Sequence, residues 1–145
     1  MSRRHPKDLI LYGLAVTAAA ARGKAVAHAE DGRAVLIEGA VPGDTVDVRV
    51  TKKSSRYYEG RVERLLTLSE KRTDPPCPHF GVCGGCRWQN MQYRWQLYYK
   101  QQEVENNLRR IGGVELPPVS PILGCEHEYY YRNKLEFSFA CRRWY

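Results

Sequence analysis

Three cysteines, Cys77, Cys83 and Cys86, fall within ten residues in the stretch PPCPHFGVCGGCRWQN. The spacing C-x5-C-x2-C can bring three thiolates round one point, and Gly84 and Gly85 let backbone N–H groups approach the sulfurs. Iron–sulfur clusters use such a local group of three plus one distant cysteine, whereas structural zinc more often uses two paired C-x2-C knuckles. Only one such knuckle is present, and no H-x3–5-H follows it. His79, two residues from Cys77, reads as lining the loop rather than as a ligand. On the residues alone a cluster is favoured over zinc, and zinc over inert thiols. Five cysteines in the whole chain are an odd number, so a complete disulfide framework cannot use them all.

Such a loop has to be held by regular elements on either side. The stretch TDPPCPHFGVCGGC is itself irregular, with three prolines and three glycines in 14 residues. Before it, residues 8 to about 68 read as four or five short strands, enough for a small barrel. KAVAHA is a half-apolar strand, DGR a turn, and AVLIEGAV a buried strand. In VPGD, Pro42 fixes φ and Gly43 can take the positive φ that follows. TVDVRVTK alternates, with Val46, Val48 and Val50 on one face and Asp47, Arg49 and Thr51 on the other. YYEGRVERLLTLS can pair back onto it.

After the loop, YRWQLYYKQQEVENNLRRI has helical periodicity, with Leu97, Val104, Leu108 and Ile111 on one stripe and Gly112 and Gly113 as the stop. ELPPVSPI is a linker, and Leu135, Phe137 and Phe139 alternate in a further strand. The expected organisation is therefore a barrel over 1–68, a cysteine loop over 69–90, a helix over 91–113, and a linker with the start of another domain over 114–145. The expected fold class is mainly β with one helix (α+β). A chain that ends inside a strand it has just begun is expected to be a piece of a longer protein.

The chain has 145 residues, and its 23 lysines and arginines against 16 acids give a net charge of +7. Between Arg49 and Arg72, eight cations against three acids leave a local excess of +5, with Tyr57 and Tyr58 among them. Cations on a β surface beside aromatic rings suit a nucleic-acid groove. The same residues also suit a solvated sheet edge with half-buried tyrosines, and charge alone does not separate the two. The start, MSRRHPKDLILYGLAVTAAAAR, has the basic, apolar and alanine-rich order of a secretory leader. Asp8, Gly13 and Thr17 interrupt that order, and the favoured reading is a core segment of a cytoplasmic protein. No apolar run reaches the ~18 residues of a membrane span.

GKAVAHAEDGRAVLIEGAVPGDTVDVRV resembles a TRAM domain, a small RNA-binding barrel related to the OB-fold. CPHFGVCGGCRWQNMQYRWQLYYKQQEVENNLRRIGG is similar to the cluster-binding segment of bacterial RNA (uracil-5-)-methyltransferases, and YRNKLEFSF to the opening of that family's central domain. The resemblance implies an OB-like barrel, a 4Fe–4S cluster on Cys77, Cys83 and Cys86 with a fourth cysteine outside these residues, and RNA as partner. Cys125 and Cys141 do not fall at that fourth position. It further implies that Lys52, Lys53, Arg56, Tyr57 and Arg61, and then Arg132, Asn133 and Lys134 of the YRNK motif, meet RNA.

In that family a cysteine thiolate adds to C6 of a flipped-out uridine, C5 attacks the methyl group of S-adenosylmethionine, and a base removes the C5 proton. No S-adenosylmethionine loop, catalytic cysteine or carboxylate base is found in these residues, so S-adenosylmethionine is expected only in the whole protein, and the chain by itself is expected to be inactive. The large-subunit (23S) ribosomal RNA is the preferred substrate and transfer RNA the other; a monomer with no membrane partner is expected. An electron-transfer module would carry the same cluster, but ferredoxin-like modules are usually acidic. The spacing x5 also differs from the C-x3-C-x2-C of radical enzymes.

Overall fold

The computed structural model describes residues 9–131. The predicted strand around Leu135, Phe137 and Phe139, together with Arg132, Asn133, Lys134 and Cys141, lies outside the described residues. Six strands come first: β1 (Ile10–Ala15), β2 (Ala18–Ala20), β3 (Lys24–His28), β4 (Ala34–Glu38), β5 (Thr45–Lys53) and β6 (Tyr57–Thr67). One helix follows, α1 (Tyr93–Arg110). The strands form one sheet in the order β1-β5-β6-β4-β3-β2, antiparallel throughout except for β4 beside β6.

The sheet curls into an OB-like barrel because its first run serves both edges. β1 pairs with β5, β2 pairs with β3, and only Val16 and Thr17 separate them. At that switch Val16 N–H donates to the Asp44 carbonyl (2.9 Å) and Thr17 N–H to the Val26 carbonyl (2.8 Å). Two of the interruptions in the N-terminal apolar run, Gly13 and Thr17, are thus structural. Gly13 sits at a register shift in β1 with φ of +63°, a conformation that only glycine adopts cheaply.

Alternation in β5 buries Val46, Val48 and Val50 against Val35, Ile37, Ala25 and Ala27. Asp47 lies on the opposite face, as its alternation predicts, but is also buried. Its carboxylate accepts the Gly13 N–H (2.9 Å) that the bulge frees, and Arg64 lies 3.6 Å away. The Val41–Asp44 turn closes as expected, with Asp44 N–H donating to the Val41 carbonyl (3.0 Å) and Gly43 at φ +100°.

Asp44 also fastens the cysteine loop to the barrel. Its fully buried carboxylate accepts from Val41 N–H (2.6 Å), Ser69 N–H (2.9 Å), and Arg72 Nε (2.8 Å) and Nη2 (2.7 Å). Arg72 in turn pairs with Met91 across a β-bridge, Thr73 N–H donates to the Asn90 carbonyl and Gln92 N–H to the Lys71 carbonyl. Residues 71–73 and 90–92 therefore pinch the base of the loop.

The helix begins and ends near its predicted limits, closed by a bond from Val114 N–H to the Leu108 carbonyl with Gly113 at φ +62°. Its apolar stripe is covered only near its start. Leu97 is half-buried, within 3.1 Å of where a Cβ on Gly124 would lie, but Val104 (57% exposed), Leu108 (42%) and Ile111 (83%) face outward among the described residues. The segment that returns along α1 reaches only its first half: Cys125 N–H donates to the Tyr93 hydroxyl and Ile122 N–H to Gln101 Oε1.

Candidate nucleic-acid interface and cysteine loop

Alternation along β6 sends Tyr58 and Gly60 inward and Tyr57, Glu59 and Arg61 outward, beside the outer residues of β4. On that outer face the cations share their carboxylates. Glu59 pairs with Lys24 (2.5 Å) and Lys52 (3.3 Å), and Glu38 with Arg61 (3.5 Å) and Arg87 (3.8 Å). The bond from Lys24 first, and then that from Lys52, holds the Glu59 carboxyl below the usual range, so it stays charged. Glu59, followed by the Tyr57 hydroxyl, in turn raises Lys52.

Two further cations stand at the β5–β6 hairpin, where Lys53 lies 5.9 Å from the Tyr58 ring and the exposed Arg56 side chain has no ion pair among the described residues. Lys24, Lys52, Arg61 and Arg87 against Glu38 and Glu59 leave an excess of two positive charges (four minus two) on the outer face, and Lys53 and Arg56 add two more at the adjoining hairpin. Arg49 adds nothing to it, being paired with Glu63 at 2.5 Å.

Of the residues singled out from sequence, the fold thus brings Lys52, Lys53, Arg56, Tyr57 and Arg61 onto one outer face and hairpin. Tyr57 is half-buried, with its ring 5.8 Å from Lys52 Nζ. Tyr58 serves the interior: its hydroxyl donates to Asp31 Oδ2 (2.9 Å) and Arg33 stacks 4.1 Å over its ring, also contacting that hydroxyl. Hydrogen bonds from Arg33 hold the Asp31 carboxyl far below its ordinary range, while burial, then the bond to Asp31, pushes the Tyr58 phenol up. Lys24 and Arg87 were missed, because their place beside Glu59 and Glu38 comes from strand pairing and from the loop's path, which spacing does not encode.

In the cysteine loop, turns close from Phe80 N–H to the Cys77 carbonyl and from Val82 and Cys83 N–H to the His79 carbonyl, with Gly81 and Gly84 at positive φ. Cys77 is half-buried, Cys83 and Cys86 are exposed, and all three are free thiols. Two sulfurs already accept N–H groups: Cys83 from Gly85 (3.5 Å) and Cys86 from Gln89 Nε2 (3.2 Å). Such donors stabilise thiolates and tune cluster sulfurs, so donor type and surroundings fit a thiolate-ligated group. Position fits less well: among the described residues, no three cysteine, histidine or acidic side chains gather where they could hold a metal ion. Exposed Cys125, whose thiol donates to the His127 carbonyl (3.0 Å), is not part of the group.

Residues 14–62 match the TRAM domain. The match runs from the end of β1 to Val62 in β6 and so covers the barrel but neither the cysteine loop nor the helix. Over a longer span the chain is 49% identical to an uncharacterized RNA methyltransferase of Bacteroides thetaiotaomicron, across 86% of this chain and 27% of that protein. It is 43% identical to one of Porphyromonas gingivalis (89% and 28%) and 40% identical to one of Chlorobaculum tepidum (90% and 27%). The chain thus spans about a quarter of the length of the curated relatives it matches. The TRAM domain supplies the cation-rich face, and Arg87 carries that face into the cysteine loop. None of the described helices is long and apolar enough to cross a membrane.

Proposed function

We propose that this chain is the RNA-recognising and cluster-binding region of an S-adenosylmethionine-dependent RNA uridine-C5 methyltransferase that acts in the cytoplasm on 23S ribosomal RNA. The observation that carries the RNA part is the outer face of the TRAM-like barrel and its β5–β6 hairpin, where two carboxylates are each shared by two cations and Lys53 and Arg56 pair with no carboxylate among the described residues. A surface whose cations are positioned but not neutralised attracts a phosphate backbone and releases counterions on binding it. The names of the relatives support methyl transfer to RNA. The choice of uridine C5 and of ribosomal RNA rests on the resemblance of the cysteine and YRNK motifs.

Cys77, Cys83 and Cys86 would hold a 4Fe–4S cluster with a fourth thiol from elsewhere in the whole protein. A resident cluster would supply a rigid, thiolate-bound centre between barrel and helix. The chain's own residues would meanwhile set the loop's base, through Arg72 and Asp44, and grip RNA.

Two measurements test the proposal. Anaerobic preparations of the chain and of the whole protein are analysed for iron and acid-labile sulfide; about four of each in the whole protein support the cluster, and one zinc without sulfide overturns it. The whole protein is then given S-adenosylmethionine with 23S ribosomal RNA or transfer RNA. Label in 5-methyluridine of the ribosomal RNA is expected; label only in transfer RNA reassigns the substrate, and none in either removes the reading.

A further inference from the structure

We propose that the groove between β2 and the side of α1 that runs from Trp95 to Asn107 is a stacking subsite for bases of single-stranded RNA, separate from the cation-rich outer face; this rests on the RNA-binding reading above. Its volume is about 590 Å³, and one wall is the small-residue run Ala18–Ala21. The other wall is aromatic. Trp95, Tyr98 and Tyr99, at helical spacings of three and four, turn to one side of α1 with ring centroids 5.7 Å (Trp95–Tyr98) and 5.1 Å (Tyr98–Tyr99) apart.

An aromatic wall alone would suit a peptide as well as a base. Charge and rim chemistry favour RNA. Lys71 Nζ lies 4.6 Å from the Trp95 ring and donates to the Tyr99 hydroxyl (3.1 Å), and Arg94 lies 5.7 Å from the same ring. Neither cation pairs with a carboxylate among the described residues, so both keep their charge for a phosphate. Gln102, Asn106 and Asn107 line the groove with amides that can both donate to and accept from base edges. Glu103, the single acid of the lining, can accept from a base N–H or a ribose hydroxyl. The rings meet edge to face (85° for Trp95–Tyr98, 78° for Tyr98–Tyr99), which leaves ring faces for a base, and aromatic faces, nearby cations and amide groups are what single-stranded RNA sites combine. Lys71 is held in place by the Gln92 N–H on its carbonyl and by its neighbour Arg72 in the Asp44 clamp.

The test uses the 145-residue chain and a short oligouridylate carrying 5-iodouridine. Affinity is measured against salt concentration, and photocrosslinks are mapped by mass spectrometry. Tyr98→Ala and Asn106→Ala truncate exposed side chains outside the barrel core, and circular dichroism confirms their fold. Tyr98→Ala is expected to weaken binding about tenfold at every salt concentration, since stacking is lost but no phosphate contact. Crosslinks are expected at Trp95, Tyr98 or Tyr99. Lys52→Gln with Lys53→Gln, at the outer face and its hairpin, is expected instead to lower the salt slope by about 1.4.

If the RNA binds and the lysine variant behaves so, while both groove variants bind as the parent does and crosslinks map only to residues 52–61, the groove proposal is overturned. The outer-face reading then survives, and the groove is left to protein packing. If the chain binds no RNA at any salt concentration, both fall together.

Discussion

Replacing Asp44 by alanine removes the acceptor for four hydrogen bonds at a site with no access to water. Two backbone N–H groups, of Val41 and Ser69, lose their partner, and the Arg72 guanidinium, only 17% exposed, loses its countercharge. Breaking a buried ion pair by removing one partner costs about 3–5 kcal/mol. Arg72→Met leaves the carboxylate with its two backbone donors and should cost less, about 2–4 kcal/mol. The two losses should not add: once Asp44 is gone, Arg72 has only the Gly39 carbonyl (3.1 Å) left to bond among the described residues, so the double variant should resemble Asp44→Ala, with a coupling equal to the Arg72→Met loss, about 2–4 kcal/mol. Urea unfolding followed by circular dichroism gives the energies. Hydrogen exchange should show faster opening at residues 69–73 and 90–92, the base of the cysteine loop. A loss below about 1 kcal/mol for Asp44→Ala, or additivity within about 0.5 kcal/mol, would refute the view that this pair joins loop to barrel.

Three other outcomes follow from single contacts. A Cβ at Gly60 would lie 2.5 Å from Val48 Cγ1 and 2.6 Å from the Arg49 carbonyl oxygen, so Gly60→Ala must move backbone in β5 and should cost about 1–3 kcal/mol in urea unfolding. At Gly23 (φ +70°) a Cβ would lie 2.4 Å from Arg87 Cβ; Gly23→Ala should lower the unfolding midpoint and raise thiol reactivity at Cys86, measured with a maleimide. Asp31, with its folded pKa held below the 3.8 of the free side chain, contributes stability that is present above about pH 4 and is lost as pH falls further. Thermal unfolding midpoints should therefore fall below pH 4 in the parent chain and fall less in Asp31→Asn.

What the sequence makes legible here is whatever depends on neighbours along the chain. The alternation of Val46, Val48 and Val50, the Pro42–Gly43 turn and the Gly112–Gly113 stop are local patterns, and each appears in the fold. The partners that matter at the sites are distant. Asp44 reads as the last residue of a turn, yet its carboxylate bonds Arg72; Asp47 reads as an outward residue, yet it takes the N–H released at Gly13. The apolar stripe on α1 is legible because periodicity shows which side of a helix is apolar, but it does not show what lies against it. In RWQLYY, the spacing of Trp95, Tyr98 and Tyr99 was visible, but the facing alanines of β2 could be placed only by folding the barrel.

The shared carboxylates bear directly on how a basic surface can be both ordered and available. A cation held by a carboxylate that it does not share with another cation, as Arg49 is by Glu63, is fixed in place but electrically spent. A cation with no partner keeps its charge but also its full side-chain freedom, which must be given up on binding. Glu59 between Lys24 and Lys52, and Glu38 between Arg61 and Arg87, take a middle course: each trio retains one positive charge while restricting two side chains. At these exposures each pair contributes about 1 kcal/mol or less to folding, so stability is a weak reason for the arrangement. Orientation toward a polyanion is a better one. Because Arg87 adjoins Cys86 and packs over Gly23, the second trio also ties the cysteine loop to the TRAM domain's charged face, and a shift of that loop would change the charge presented there.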